Sequence, residues 1–321
     1  MYLLYLLHFF LLLFLMWGYL KIANRLNIID KPNERSSHTH ITIRGGGVIF
    51  PLAALLWFFF FGADFPFFIL GLTLISIISF IDDRLTISTK PRLVVHLLSV
   101  ALMLVELGFS DFPWYVWIFG FVLIIGWLNA FNFMDGINGI TTFYALSVLL
   151  PIWYVNREYA SVDPSLLYLI GLSLIVFAFF NARRKAKTFA GDVGSISMGF
   201  ILAFILISLV IETGQWEYVL FVSLYGIDAV LTIAQRIIRK EDIFKAHRFH
   251  LYQYLANEVK CSHLSVSTIY ALLQLVVSGL ALMLLQIGAP SWAFILLLIV
   301  LGFIYLILKF IVFEKHVAHK T

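Results

Sequence analysis

Long apolar runs follow one another down the whole chain, broken by short segments rich in charge, glycine and proline. About 20 mainly apolar residues are what a helix needs to cross a bilayer. About eleven such runs can be read, at 1–23, 45–62, 65–81, 91–109, 112–131, 138–155, 165–181, 196–212, 216–238, 264–287 and 290–313. The first is too long for a leader and has no small-residue cleavage site, so it reads as a retained span. The pattern predicts an all-α, polytopic integral membrane protein with one transmembrane domain over residues 1–321.

Composition agrees. Hydrophobic residues make up 62% of the chain and charged residues only 12%, against roughly 25% charged in soluble domains. The distribution of charge then gives an orientation, because lysine and arginine gather on the cytoplasmic side. With the N-terminus outside and the C-terminus cytoplasmic, 21 of the 22 basic residues fall inside, and only Arg157 falls outside. The net charge of +4 is therefore a signal of topology, and nothing calls for nucleic acid as a partner. The single cysteine, Cys261, excludes an internal disulfide and offers no zinc pattern.

On this map the external connections are short and plain, while everything chemically dense lies in five inside loops. In "LTLISIISFIDDRLTISTKPR" an apolar run ends on Asp82 and Asp83. A helix C-terminus already carries negative potential, so something cationic must offset them. In "NAFNFMDGINGI", Asn129 and Asn132 lie three apart on one helical face, with Asp135 where glycines let the chain leave the helix. A glycine cap explains the glycines but neither the amides nor the acid.

In "FAGDVGSISMGF", Gly191 and Gly194 allow close approach and Ser195 opens the next span. Free N–H groups at such a helix start suit a phosphate. Asp192 is then either an N-cap or a ligand for a Mg²⁺ that bridges carboxylate and phosphate. In "DIFKAHRFHLYQYL", His247, Arg248 and His250 form a compact donor cluster for a diphosphate or sugar, and two histidines alone make a weak zinc site. The "LYQYLANEV" that follows reads as an amphipathic segment on the membrane surface. His8 and His96 read as packing residues, Arg183 to Lys185 as a topology patch, and Gly45 to Gly47 as either packing or substrate-facing. Asp228, inside a span, is expensive without a partner, for which Arg236 is available. Acids for a metal beside bases for phosphates point to phosphoryl transfer, and no Walker motif is present.

The ordered set "RSSH…IRGGG", "IDDR", "NxxNFMDGING", "GDVGS" and "HRFH" resembles the polyprenyl-phosphate N-acetylhexosamine-1-phosphate transferase family, glycosyltransferase family 4. The resemblance implies transfer of a sugar-1-phosphate from a UDP-N-acetylhexosamine, or a deoxy derivative, to undecaprenyl phosphate, with Mg²⁺ or Mn²⁺ and release of UMP. It implies catalytic roles for Asp82, Asp83, Asp135, His247 and His250. Substrate contacts fall to Asn129, Asn132, Asn181, Arg248, Arg44, Gly191, Gly194 and Ser195, and metal ligation to Asp192 and Asn132. The place implied is the bacterial inner membrane, and a homodimer stays open.

Two departures stand out. Asn138 replaces a common family aspartate, and "HRFHLYQ" replaces His-x-His-His, the form of the branch that starts O-antigen or capsule units. The muramoyl-pentapeptide branch is the alternative. A secondary transporter is another, although it should place its polar groups near the midplane on broken helices. A scaffold descended from an enzyme should have lost Asp82, Asp83 or Asp192, and all three are present.

Overall fold

The apolar runs fold as helices. The computed structural model describes residues 2–32, 40–85, 87–242 and 248–316, with the side chain of His316 left aside. The helices are α1 (Tyr2–Arg25), α2 (Ile49–Phe61), α3 (Pro66–Leu85), α4 (Thr89–Glu106), α5 (Trp114–Met134) and α6 (Ile140–Tyr159). They continue as α7 (Pro164–Asn181), α8 (Gly191–Thr213), α9 (Ser223–Ile238), α10 (Leu251–Asn257), α11 (His263–Gln286) and α12 (Ser291–His316). Each of the eleven runs lies on one of them, with 3₁₀ turns at Gly46–Val48 and Trp216–Val222 leading into α2 and α9.

Among the described residues, 8 helical segments are long and apolar enough to cross a membrane. The other three are weaker candidates for physical reasons. The segment Gly46–Phe61 is short, α4 opens on Lys90 and Arg92, and α6 holds Pro151 and closes on Arg157 and Glu158. The structure is that of an all-α, multi-pass membrane protein.

Helix α8 is the axis, with 83% of its membrane window buried, against 11% for α12. Lipid tails are as apolar as the helices, so packing and interhelical hydrogen bonds must hold the bundle together. Phe68 of α3 stacks on Phe204 of α8 with ring centroids 3.9 Å apart. The indole of Trp127 donates to the Gly199 carbonyl at 2.8 Å, and that of Trp57 to the Ser165 hydroxyl at 3.0 Å. Tyr144 donates to Gln274 at 3.0 Å, tying α6 to α11.

The only sheet among the described residues lies in the first polar loop. Strands β1 (Ile29–Asp30) and β2 (Thr42–Ile43) pair antiparallel, Ile29 opposite Ile43. Ile43 also bridges to Thr188, Phe189 N–H donates to the Ile43 carbonyl at 2.8 Å, and Gly46 and Gly47 donate to the carbonyls of Phe189 and Ala190. This backbone pairing carries Arg44 to the start of α8.

Candidate active site

Arg44 ends up between two acids. Its Nε lies 2.6 Å from Asp83 Oδ1 and an Nη lies 3.1 Å from Asp192 Oδ1. Asp83 also accepts the backbone N–H groups of Asp192 at 2.8 Å and Val193 at 3.0 Å. It therefore caps α8, where the macrodipole favours a negative charge. This offsets Asp83 at the end of its own helix, and corrects the expectation of open N–H groups for a phosphate, since Asp83 holds two of them.

The glycines make that approach geometrically possible. A Cβ on Gly194 would stand 2.7 Å from Gly47 Cα, and one on Gly191, whose φ is +72°, would stand 2.5 Å from Asp83 Oδ2. Gly191, Gly194 and the Gly45 to Gly47 run thus serve close backbone contact. Asp83 has 0% of its side chain exposed and Asp192 has 22%, so Asp192 is the acid a ligand can reach. Burial alone would lower the Arg44 guanidinium, but the charges of Asp83, Asp192 and Asp30 outweigh it and hold it raised.

Asp82 faces a different cation. Its Oδ2 pairs with Arg92 at 2.7 Å and its Oδ1 accepts the Ile87 N–H at 2.6 Å. Asp135 follows the last turn of α5, half-buried, and accepts the hydroxyl of Thr141. Burial pushes its carboxyl up to about 6; the Thr141 hydrogen bond opposes this, Asp192 adds to it and Arg44 opposes it again.

The amides divide. Asn132 accepts the Ser195 hydroxyl at 2.6 Å, which ties α5 to α8, and exposed Asn129 donates to Ile125 of its own helix at 2.8 Å. Ser195 is fully buried. Asn181, expected at the nucleotide, is a buried strut instead, accepting Gly139 N–H at 2.7 Å and donating to the Thr188 carbonyl at 2.9 Å. Asn138 donates to the Arg183 carbonyl at 2.7 Å, a bond that the family aspartate, once ionised, could not make.

The family model described as "Glycosyl transferase family 4" matches residues 65–210, the stretch that holds Asp82, Asp83, Asp135 and Asp192. A Thermotoga maritima phospho-N-acetylmuramoyl-pentapeptide-transferase is 27% identical over 73% of this chain and 82% of its own length. The family model and these relatives support glycosyl transferase family 4. Two other relatives carry a different name. A probable undecaprenyl-phosphate N-acetylglucosaminyl 1-phosphate transferase of Bacillus subtilis is 24% identical, over 78% of this chain and 75% of its own. An undecaprenyl-phosphate alpha-N-acetylglucosaminyl 1-phosphate transferase of Yersinia pestis is 30% identical, over 58% and 57%.

Outside the matched family 4 stretch the structure changes several assignments. His247 lies outside the described residues, as does the "RSSH" motif. Arg248 is half-buried, whereas His250 is 1% exposed and turns its Nδ1 to Asp228 at 2.8 Å. Asp228 is thus partnered by His250, and Arg236 instead pairs with Glu241 at 3.2 Å. Helix α10 does not lie on the surface: Leu251, Tyr252 and Tyr254 are buried, and the Tyr252 hydroxyl donates to the Phe133 carbonyl at 2.8 Å. Sequence reasoning counted Arg92 and Lys309 among the basic residues without pairing either with a particular acid, and it passed over Tyr270 and Tyr305.

The donors present fit a divalent cation of the Mg²⁺ type. Among the described residues no three His, Cys, Asp or Glu side chains form a closed metal cage. Mg²⁺ does not ask for one, since it takes one or two carboxylates and completes its shell with water and substrate phosphate. Asp192 is reachable, and burial raises the Asp135 carboxyl to about 6, so that a nearby cation would favour its ionised form.

Proposed function

We propose that the chain transfers a sugar-1-phosphate of the N-acetylhexosamine type from a UDP-sugar to undecaprenyl phosphate. The observation that carries this reading is the pairing of reachable Asp192 with the Arg44 guanidinium, with half-buried Asp135 from a third loop near enough for both charges to act on its carboxyl. Carboxylates for a metal beside a fixed cation for phosphate oxygens are what phosphoryl transfer needs. An apolar groove of ≈ 230 Å³, lined among others by Leu52, Leu55, Ile77, Phe80 and Val193, the residue after Asp192, suits an isoprenoid tail.

The lipid phosphate oxygen forms a bond to the β-phosphorus of the donor, and the bond from that phosphorus to the bridging oxygen of UMP breaks. UMP leaves with the electron pair. The second pKa of a phosphate monoester, near about 6, leaves little proton to remove at neutral pH, so Asp82 acts by orienting the nucleophile, with Arg92 beside it. Asp192 and Asn132 would hold Mg²⁺ or Mn²⁺, which when bound neutralises phosphate charge. The form of the histidine loop, "HRFHLYQ" with Leu251 after His250, is what supports the hexosamine branch over the muramoyl-pentapeptide branch.

Eleven crossings with the N-terminus outside complete the reading. A reporter after Gly214 should then appear outside and one after Lys187 inside, and the reverse pattern overturns the orientation. The decisive experiment incubates membranes with undecaprenyl phosphate and a panel of UDP-sugars, following UMP and the lipid product. UMP release that depends on both lipid and Mg²⁺ supports the reading; turnover undiminished in excess chelator, or none with any sugar, removes it.

A further inference from the structure

Asp228 lies in the middle of α9, fully buried. Four side chains converge on it. His250 Nδ1 at 2.8 Å, the Tyr305 hydroxyl at 2.9 Å and the Thr232 hydroxyl at 3.3 Å meet Oδ1, and the Tyr270 hydroxyl meets Oδ2 at 2.8 Å. Behind them Lys309, only 4% exposed, donates its ammonium to Thr232 at 2.7 Å. The groups come from α9, the loop before α10, α11 and α12. A buried ionic cluster is poor value as stability, because well-packed apolar residues of similar volume do as well. What it supplies is a fixed geometry.

The geometry it fixes is that of the histidine loop. His250 is the residue immediately before α10, and its ring centroid stands 6.2 Å from that of Phe133, between Asn132 and Met134. Tyr252, next along, donates to the Phe133 carbonyl, and its hydroxyl fills the space where a Cβ on Gly136 would stand. Arg248 precedes His250 by two residues and lies half-buried.

We propose that Asp228 and His250 form a latch, backed by Tyr305 and Lys309 of the last helix, that docks the loop carrying Arg248 against the Asn132–Asp135 turn. His250 is then a positioning residue, and the contact with the donor's diphosphate falls to Arg248. This assignment of roles rests on the transferase reading. It also makes α12, the helix least buried among the candidate spans, a working part of the site.

The test uses the full-length protein in detergent or membranes. The side-chain nitrogen of asparagine can stand where histidine Nδ1 stands, so His250→Asn keeps the bond to Asp228 and loses the titratable ring. It should stay within about threefold of wild type, whereas His250→Ala and Asp228→Ala should each raise KM for the UDP-sugar about tenfold, with kcat less changed. The double alanine variant should be no worse than the poorer single one, in KM and in unfolding midpoint alike.

His250→Asn as impaired as His250→Ala overturns the proposal, because the ring itself is then required. Fully additive losses overturn it too. If Asp228→Ala does not fold, Tyr305→Phe serves, with an expected KM rise of about twofold to threefold; a lower unfolding midpoint with unchanged KM marks the cluster as structural only. Wild type that releases no UMP removes the transferase reading, and the latch is then judged by additivity in the unfolding midpoints.

Discussion

Asp83 and Asp228 are both carboxylates withdrawn from solvent, yet their surroundings differ in kind. Asp83 is met by a guanidinium and two backbone N–H groups at the start of α8. Asp228 is met by an imidazole, two phenols and a threonine, with a lysine behind. The first cluster keeps members that water reaches, Arg44 at 35% and Asp192 at 22% side-chain exposure. The second is shut. A cluster with reachable charges can exchange its internal partners for those of a ligand, whereas a shut one can only hold its shape. The difference assigns ligand chemistry to the end of the bundle near α8 and positioning to the α9–α12 side.

The largest effect expected from this contrast is on Arg44→Gln. It leaves Asp83 buried with its two N–H donors but no cation. Breaking a buried ion pair costs about 3–5 kcal/mol. Arg44 keeps contact with water, so about 2 kcal/mol is the reasonable expectation here. Thermal unfolding in detergent should show a lower midpoint, together with loss of turnover. An unchanged midpoint would mean that the helix start alone neutralises Asp83, and the contrast between the clusters would lose one side.

How much of this was legible in the sequence differs by element. The spans were, because a bilayer demands a length of apolar chain that few other structures require. The acids at loop edges were as well, since each breaks an apolar run. Partnerships were not. Arg44 reaches Asp83 only because Ile43 and Gly46 pair with the backbone of Thr188 and Phe189, and no local pattern encodes that. Asn181 looks like a ligand residue in sequence, and its burial between Gly139 and Thr188 makes it a strut. Lys309 looked like a cation of the tail, although a lysine inside "YLILKFIVF" is costly unless paired; that cost was the available signal.

Asp192→Asn should come next in size and should behave differently from Arg44→Gln. Its side chain is partly exposed, and it is the backbone N–H of Asp192, not the carboxylate, that serves the cap. Turnover should therefore fall at least tenfold, about 1.4 kcal/mol of transition-state stabilisation, while the unfolding midpoint holds within a degree or so of wild type by the same argument. A drop in the midpoint matching that of Arg44→Gln would merge the two acids into one structural unit and deny Asp192 its separate role.

The smallest effect concerns Asp135, the half-buried member of the reachable cluster. Its carboxyl is pushed up to about 6, first by burial, and the Thr141 hydroxyl works against that rise. Activity that needs the carboxylate must increase as pH rises through that range. Thr141→Val keeps the shape and removes the donor, so the ionised form is less favoured and the acidic limb of the pH profile moves to higher pH. A neutral hydrogen bond is worth about 0.5–1.5 kcal/mol, and 1.36 kcal/mol corresponds to one unit, so the shift should be about half a unit to one unit. The lipid phosphate also titrates near about 6, but its limb belongs to the substrate and cannot respond to Thr141. A divalent cation beside Asp135 lowers the limb in both proteins and leaves the direction of the difference unchanged. The measurement is kcat/KM against pH for wild type and Thr141→Val at saturating Mg²⁺. Superimposable limbs would show that Asp135 does not set the acid side of the reaction, and the reachable cluster would then reduce to Asp192 and Arg44.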